Sequence, residues 1–272
     1  MEGTVSERVT VVRQDGIADV RLNRPDKLNG LDPAMFEALV TTGRALAGER
    51  ALRAVVLSGE GRAFSAGLDF ASVLGARAEG RGARDLLARE PDEIANFAQQ
   101  AAWVWAELPV PVIAAVHGPC FGGGLQIALA ADIRIVAPDA QLSVMEVRWG
   151  LVPDMTGTQT LRHLVRLDVL EELVLTGRIV TGPEAVALGL ATRLSATPRA
   201  TALELAREMA AKSPDAIRAG KRLLRSAVGV GLAEGLRLEE ATQRSLLGGA
   251  NQMEAVRANL ARRAPRFEDP PA

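Results

Sequence analysis

Residues 111–124, with the sequence PVIAAVHGPCFGGG, decide the fold class of this chain. The five apolar residues from Val112 to Val116 are typical of a short buried strand, and the glycines that follow form a turn that opens a helix running to about Ala131. A second buried run, residues 54–58 (AVVLS), also ends in glycines. Short apolar strands that alternate with helices predict an α/β protein.

The rest of the chain fits this pattern and then departs from it. Residues 9–12 and 18–22 are rich in β-branched side chains and predict two strands. Asp32 and Pro33 are an N-cap and a first helical residue, so a helix begins there. Further on, a helix is predicted from Pro91 to about Leu108, after a Gly- and Arg-rich connection at 75–90.

From Pro198 onward the pattern is helical only. We therefore expect a mixed α/β core over residues 1–196 and a helical region over residues 197–272. The apolar stripes of these helices exceed what a small helical region can bury alone, which predicts that the region mediates oligomerisation.

Composition excludes several classes of protein. The chain has 272 residues, 48% of them hydrophobic and 24% charged, with a net charge of −1, which argues against disorder and against a basic surface for nucleic acid or membranes. One cysteine and two histidines exclude a disulfide scaffold and make a metal site improbable. The sequence contains no run of 18 apolar residues, so we expect no membrane span. We expect a cytoplasmic protein.

Two glycine turns, at 63–69 (AFSAGLD) and 117–124 (HGPCFGGG), are the best candidates for chemistry. Glycines let backbone N–H groups approach a ligand, and a helix N-terminus adds partial positive charge. Two such donors from two loops would form an oxyanion hole. A phosphate-binding loop needs Lys and then Ser or Thr after the glycines, but residues 125–126 are LQ. A dinucleotide-binding fingerprint needs Gly or Ala where this chain has Phe64. A nucleophile elbow around Ser65 needs Gly where this chain has Ala63. Tight turns without a ligand remain the alternative.

Several ordered motifs resemble the crotonase superfamily, the enoyl-CoA hydratase/isomerase family. The motifs run through nearly the whole chain: 23–25 (NRP), 64–69 (FSAGLD), 111–118 (PVIAAVHG), 122–124 (GGG), 131–134 (ADIR), 176–178 (TGR), 185–190 (AVALGL) and 212–214 (KSP). The resemblance implies a spiral of strand–strand–helix units, followed by a helical region that builds homotrimers, often paired into hexamers.

The resemblance also implies an acyl-CoA thioester substrate and no separate cofactor, because the substrate itself carries coenzyme A. Backbone N–H groups matching Ala66 and Gly123 are expected to hold the thioester oxygen and stabilise an enolate. This agrees with the oxyanion hole that the two glycine turns predict.

Three positions bear on proton transfer: Gln126, Glu146 and Asp154. The family's common hydratases carry Glu at the first two positions, and an amide cannot exchange a proton near neutral pH, so Gln126 departs from them. Residues 144–154 (VMEVRWGLVPD) resemble the Δ3,5–Δ2,4-dienoyl-CoA isomerases, whose carboxylates match Glu146 and Asp154. Those isomerases have a third carboxylate, an Asp, where this chain has Gln126.

Contacts with coenzyme A are expected at two segments. The resemblance places them at Lys27 and Leu28 and along the loop from Ala66 through Gly67 and Leu68 to Asp69. Arg24 and Lys27 offer positive charge to phosphates.

Near the C-terminus, Phe267 resembles a family aromatic that contacts a neighbouring subunit's ligand.

Three functions remain open at this point. The first is an acyl-CoA double-bond isomerase that uses Glu146 and Asp154. The second is a 2-enoyl-CoA hydratase in which Glu146 alone manages both proton transfers through water. The third is a non-catalytic acyl-CoA-binding protein, which Gln126 favours and Glu146 opposes.

Overall fold

A computed structural model describes residues 3–5, 8–73 and 85–270. Most of the predicted connection at 75–90 therefore lies outside the described residues. The ten strands of the described part are β1 (Gly3–Val5), β2 (Val9–Gln14), β3 (Ile17–Leu22), β4 (Ala54–Gly59), β5 (Val112–Val116), β6 (Pro119–Phe121), β7 (Ile133–Val136), β8 (Gln141–Ser143), β9 (Val180–Thr181) and β10 (Arg193–Leu194).

The large sheet has seven strands in the order β1-β2-β3-β4-β5-β7-β10. The first three strands are antiparallel, and from β3 to β10 all pairs are parallel. Every residue of β4 and β5 is buried. Parallel strands covered on both faces require such continuous apolar runs, so the predicted strands at 54–58 and 112–116 are confirmed.

Helices cover both faces of this sheet. Those longer than one turn in the described residues are α1 (Pro33–Ala47), α2 (Phe97–Glu107), α3 (Gly123–Ala130), α4 (Gly157–Leu161), α5 (Leu167–Thr176), α6 (Gly182–Leu188), α7 (Pro198–Ala210), α8 (Pro214–Ala227), α9 (Leu232–Leu246) and α10 (Ala250–Leu260). The predicted start of α1 is confirmed, because the Asp32 side chain accepts a hydrogen bond from the backbone N–H of Met35 at 2.8 Å.

The second helix begins later than the sequence predicts. It starts at Phe97 rather than at Pro91. Asn96 caps it: the Asn96 side chain accepts from the Gln99 N–H, and the Gln99 side chain accepts from the Asn96 N–H. This reciprocal capping box satisfies two donors at once and fixes the helix start there.

A smaller sheet turns the chain into a spiral. Its order is β6-β8-β9, and single bridges between Ser65 and Cys120 and between Leu31 and Leu68 extend it. The chain passes from the large sheet to the small one and then into a helix, as in β5-β6-α3. The predicted spiral of strand–strand–helix units is confirmed.

The predicted division at residue 196 coincides with the change to helices, since α7 begins at Pro198 and no strand follows Leu194 in the described residues. The first of these helices nevertheless belongs to the core. Ala202 and Ala206 of α7 are fully buried against Ile113 and other residues of the sheet. The more exposed helices therefore begin at α8.

Helices α8 to α10 bury little of their apolar surface within the chain. Leu232 is 81% exposed, Leu224 is 73% exposed and Leu260 is 83% exposed. Among the described residues, no helix has the length and apolar character needed to span a membrane.

Candidate active site

The two glycine turns predicted to carry the chemistry meet in the structure. Gly67 has φ +83°, and a Cβ at this position would lie 2.6 Å from the Phe121 carbonyl oxygen and 3.6 Å from the Gly123 nitrogen. Only glycine combines this backbone conformation with so close an approach. The loop at 65–69 thus lies directly against the start of α3.

The direction of the N–H groups in this loop corrects one prediction. The Ala66 N–H donates to the Leu28 carbonyl at 2.8 Å, so it does not face an open site, and the expectation that Ala66 supplies an oxyanion donor disagrees with the structure. Leu31 bonds to the residues on either side of Leu68, through the Gly67 carbonyl and the Asp69 N–H. Since successive N–H groups of extended chain point to opposite edges, that of Leu68 points away from Leu31.

Two N–H groups therefore remain open at this junction. The Leu68 N–H makes none of the hydrogen bonds found in the described residues. Gly123 is the first residue of α3, where an N–H has no acceptor inside the helix. The helix dipole adds partial positive charge at the same place.

Glu146 lies beside this turn with one oxygen held and one unpaired. It is 8% exposed, and its Oε1 is 3.4 Å from the position that a Cβ of Gly122 would occupy. Oε1 accepts from Nε2 of Gln126 at 2.6 Å, whereas Oε2 is buried without a partner. Burial raises the pKa of the Glu146 carboxyl, the charge of Asp154 adds to this, and the bond from Gln126 opposes it. Burial thus favours the protonated form of this carboxyl.

Gln126 connects Glu146 to the turn after Asp154. Its side chain is almost fully buried. Its Oε1 accepts from the backbone N–H groups of Met155 at 2.8 Å and Gly157 at 2.9 Å. Because these two N–H groups need an acceptor, the amide oxygen faces them, and the amide nitrogen faces Glu146.

Asp154 is the second carboxylate of the site. Its side chain is exposed to solvent, although neighbouring atoms desolvate the carboxyl enough to raise its pKa. The structure therefore brings together the three residues predicted for proton transfer: Glu146 and Gln126 are hydrogen-bonded, and Asp154 lies near enough to act on the pKa of Glu146.

The two segments expected to contact coenzyme A are neighbours. Leu28 accepts from the Ala66 N–H, and Lys27 next to it is exposed. Arg24 behaves differently from the expectation of a phosphate ligand: its side chain is only 10% exposed and its Nη1 lies 2.7 Å from Oδ2 of Asp69. The charge of Arg24 is thus compensated inside the chain, which leaves Lys27 as the cation that faces solvent in this segment.

Asp69 serves the loop rather than a ligand. Burial would raise its pKa, but hydrogen bonds from the Ser72 hydroxyl and backbone N–H, together with Arg24, outweigh burial and lower the pKa to about 2. This ionised carboxylate fixes the end of the loop that carries Leu68.

An aromatic pair near the site joins Trp149 to Phe70, a residue that sequence reasoning missed. Phe70 follows Asp69, and its ring centroid is 4.5 Å from that of Trp149, one 3₁₀ turn after Glu146. Trp149 is 59% exposed, so the pair forms a rim between the glycine loop and the Glu146 segment. Phe267 is half-buried in the C-terminal tail, and its contact with a neighbouring subunit's ligand stays a prediction.

A spiral α/β fold with open N–H groups beside a buried, unpaired carboxylate defines a class of enzyme that stabilises negative charge on an oxygen and moves protons. Comparison with known proteins identifies the class: the family model of enoyl-CoA hydratase/isomerase matches residues 12–270. The chain belongs to this family, within the crotonase superfamily, and is an acyl-CoA enzyme.

Individual relatives are named both as hydratases and as isomerases. The human mitochondrial Δ(3,5)-Δ(2,4)-dienoyl-CoA isomerase is 32% identical over 267 residues, which are 93% of this chain and 78% of that protein. The human mitochondrial methylglutaconyl-CoA hydratase is 30% identical over 264 residues, covering 93% and 74%. The crystal structure of an enoyl-CoA hydratase from Bacillus anthracis has a TM-score of 0.87 at 28% identity, covering 97% and 100%.

Proposed function

We propose that the protein is an acyl-CoA double-bond isomerase that moves a proton between two carbons through Glu146 and Asp154. The observation that carries this proposal is the unpaired, buried Oε2 of Glu146, a proton acceptor with a raised pKa beside two open N–H groups. Gln126 has no ionisable group, so the second proton-transfer group must come from elsewhere, and Asp154 is the neighbouring carboxylate.

The first step is the formation of an enolate. Oε2 of Glu146 removes a proton from C2 of a 3,5-dienoyl thioester, and the electron pair moves onto the thioester oxygen. The N–H groups of Gly123 and Leu68 then donate to that oxygen. Both hydrogen bonds strengthen as the charge develops, which lowers the barrier.

The second step returns a proton to the far end of the conjugated system. Moving the double bonds from positions 3 and 5 to positions 2 and 4 requires a proton at C6. Asp154, the neighbouring carboxyl, donates that proton, and partial burial, which raises its pKa, favours the protonated form that this step needs. Glu146 ends protonated and Asp154 ionised, and exchange with solvent resets both groups.

A 2-enoyl-CoA hydratase is the second candidate. Asp154 is exposed, so water can reach the site. In this alternative Glu146 alone activates the water and then protonates the enolate. Gln126 would contribute little to holding that water, because its oxygen and one N–H are already engaged.

The test compares wild type with Asp154→Asn on a 3,5-dienoyl-CoA and a 2-enoyl-CoA. Isomerisation shifts the absorbance at constant mass, whereas hydration adds the mass of water. We expect wild type to isomerise the dienoyl substrate and Asp154→Asn to lose that activity by roughly 10²- to 10⁴-fold. Brisk hydration by wild type, with both activities unchanged in Asp154→Asn, identifies the hydratase instead.

We further propose a homotrimer or a dimer of trimers, without a cofactor beyond the coenzyme A of the substrate and located in the cytoplasm. The exposed leucines of α8 to α10 support the assembly, since a surface with Leu232 and Leu224 open to water favours association. Light scattering at micromolar concentration measures the assembly directly, and a monomeric mass contradicts it.

A further inference from the structure

Gln126 occupies the position where the family's hydratases carry a proton-transfer group, yet its hydrogen bonds indicate a different role. The amide makes three hydrogen bonds, one to Glu146 and two to the backbone at Met155 and Gly157. Each bond goes to a group that flanks or performs the proposed proton transfer. All three are buried, where hydrogen bonds are strongest.

We propose that Gln126 is a positioning residue that selects Oε2 of Glu146 as the proton-carrying oxygen and fixes the turn that follows Asp154. This role rests on the proposed function of the site. The selection follows from the direction of the amide. Its oxygen is committed to two N–H groups, so its nitrogen donates to Oε1 of Glu146, and only Oε2 is left to take a proton.

The turn itself needs this support. Thr156 has φ +73°, a left-handed conformation that is unfavourable for a β-branched residue. The N–H groups on either side of Thr156 bind the same oxygen of Gln126, and this shared acceptor holds the turn in place. A Cβ on Gly157 would lie 2.6 Å from that oxygen, so glycine is required for the contact.

A carboxylate at position 126 could accept from the turn, but in its ionised form it could not donate to Glu146. Two carboxyl oxygens about 2.6 Å apart must share a proton, because both cannot ionise at that distance. An amide instead leaves a single charge on Glu146 at every pH above its pKa. With Gln126 in place, the ionisation of Glu146 therefore does not depend on a proton shared with residue 126.

A second Gln–Glu pair provides a matched control. Nε2 of Gln100 donates to Oε2 of Glu93 at the same distance, 2.6 Å, and Gln100 is also buried. Arg44 binds the other oxygen of Glu93. In the described residues this pair shares no hydrogen bond with Gln126, Glu146 or the turn at 155–157.

The experiment measures kcat and KM against pH for wild type, Gln126→Met, Gln126→Glu and the control Gln100→Glu. In Gln126→Met we expect kcat to fall roughly 10- to 100-fold with little change in KM, because Glu146 and the turn lose their fixed positions. In wild type the hydrogen bond from Gln126 lowers the pKa of Glu146, so its loss raises that pKa. The acidic limb of the Gln126→Met profile should therefore move to higher pH.

Gln126→Glu keeps an acceptor oxygen for the turn, so it should fold even if Gln126→Met does not. We expect it to be active only while the pair shares a proton, which adds a fall in activity on the alkaline side. Gln100→Glu should retain the wild-type profile. A Gln126→Glu enzyme with the wild-type profile, or a folded Gln126→Met enzyme with wild-type kcat, overturns the role of Gln126.

Infrared titration of the Glu146 carboxyl separates this role from the proposed function. The Glu146 band is assigned by its loss in Glu146→Gln, and no substrate is needed. We expect its midpoint to rise in Gln126→Met and to split into two linked steps in Gln126→Glu. These shifts without turnover of any thioester reject the function alone, whereas an unshifted midpoint rejects the role of Gln126.

Discussion

The two ends of the parallel sheet each hold a carboxylate, and the hydrogen bonds of the two carboxylates differ. At the carboxyl ends, in the loops after β4, β5 and β7, Glu146 has one oxygen without a hydrogen bond. At the amino ends, Asp132 precedes β7, and its Oδ2 accepts from the Val112 N–H and from Lys221, both at 2.8 Å. Its Oδ1 accepts from Arg225 at 2.7 Å.

Cationic side chains of helix α8 lie along the amino ends of the parallel strands. Arg218, Lys221 and Arg225 lie three and four residues apart, so they share one face of the helix. Lys221 donates to the Val110 carbonyl before β5, and Arg225 donates to the Ala130 carbonyl before β7. Arg218 donates to the carbonyls of Glu49, Arg50 and Leu52 before β4.

The difference shows what decides the role of an acidic side chain at either end of this sheet. Three donors hold Asp132, and it attaches α8 to the core. A single side-chain donor holds Glu146, and burial raises its pKa. An acid with satisfied oxygens contributes to stability, and one with an unpaired oxygen is available for chemistry.

Glu146→Gln should have the largest effect, and it should lower activity without lowering stability. We expect turnover to fall by roughly 10²- to 10⁴-fold, because the amide cannot accept the proton. The melting temperature should not fall, since a buried carboxyl with a raised pKa is replaced by a neutral group. Glu93→Gln, outside the site, is the control for activity. Turnover within tenfold of wild type contradicts the role of Glu146.

Leu68→Pro removes the N–H proposed as the second oxyanion donor. Losing one such donor costs roughly 10²- to 10³-fold in kcat. Leu68→Ala keeps the N–H and is the matched control, so a loss common to both variants indicates that the side chain matters instead. Near-UV circular dichroism checks that the loop beside Phe70 and Trp149 keeps its packing.

Local features of the fold follow directly from the sequence. The strand from Val112 to Val116 and the Asp32 cap depend on residues close together in the chain, and both are found as predicted. The N-cap at Ser213, whose hydroxyl accepts from the Ala216 N–H, is equally local. Neighbouring residues decide each of these structures.

The details of the site depend on partners distant in sequence. Whether Ala66 or Leu68 exposes its N–H is decided by the pairing of their loop with Leu28 and Leu31. The role of Gln126 depends on a turn about thirty residues later, at Gly157. Sequence patterns name these residues but give no direction for a hydrogen bond, which explains the error over Ala66.

Asp132→Ala tests the closed end of the sheet. The change leaves Lys221 and the Val112 N–H without their carboxylate, and the loss of this half-buried partner costs about 2 kcal/mol in the free energy of unfolding. Activity of the molecules that remain folded should stay near wild type, because the site lies at the other end of the strands. Denaturant unfolding and active-site titration measure the two effects separately. A large loss of kcat without a loss of stability would show that Asp132 serves activity and not stability.

Lys221 should produce the smallest effect, visible only as a dependence of stability on pH. Burial lowers the pKa of Lys221 to about 8, although Asp132 opposes the shift. Between about pH 8 and the ordinary lysine value of about 10.4, the unfolded chain binds a proton that the folded chain has released, so the free energy of unfolding rises with pH. The rise is at most about 1.4 kcal/mol per pH unit. Urea unfolding of wild type and Lys221→Met at pH 7.5 and 9.5 measures it: wild type should gain stability relative to the variant at the higher pH. An equal difference at both pH values means that Lys221 stays charged throughout, and the amino end then holds its cation by ion pairing alone.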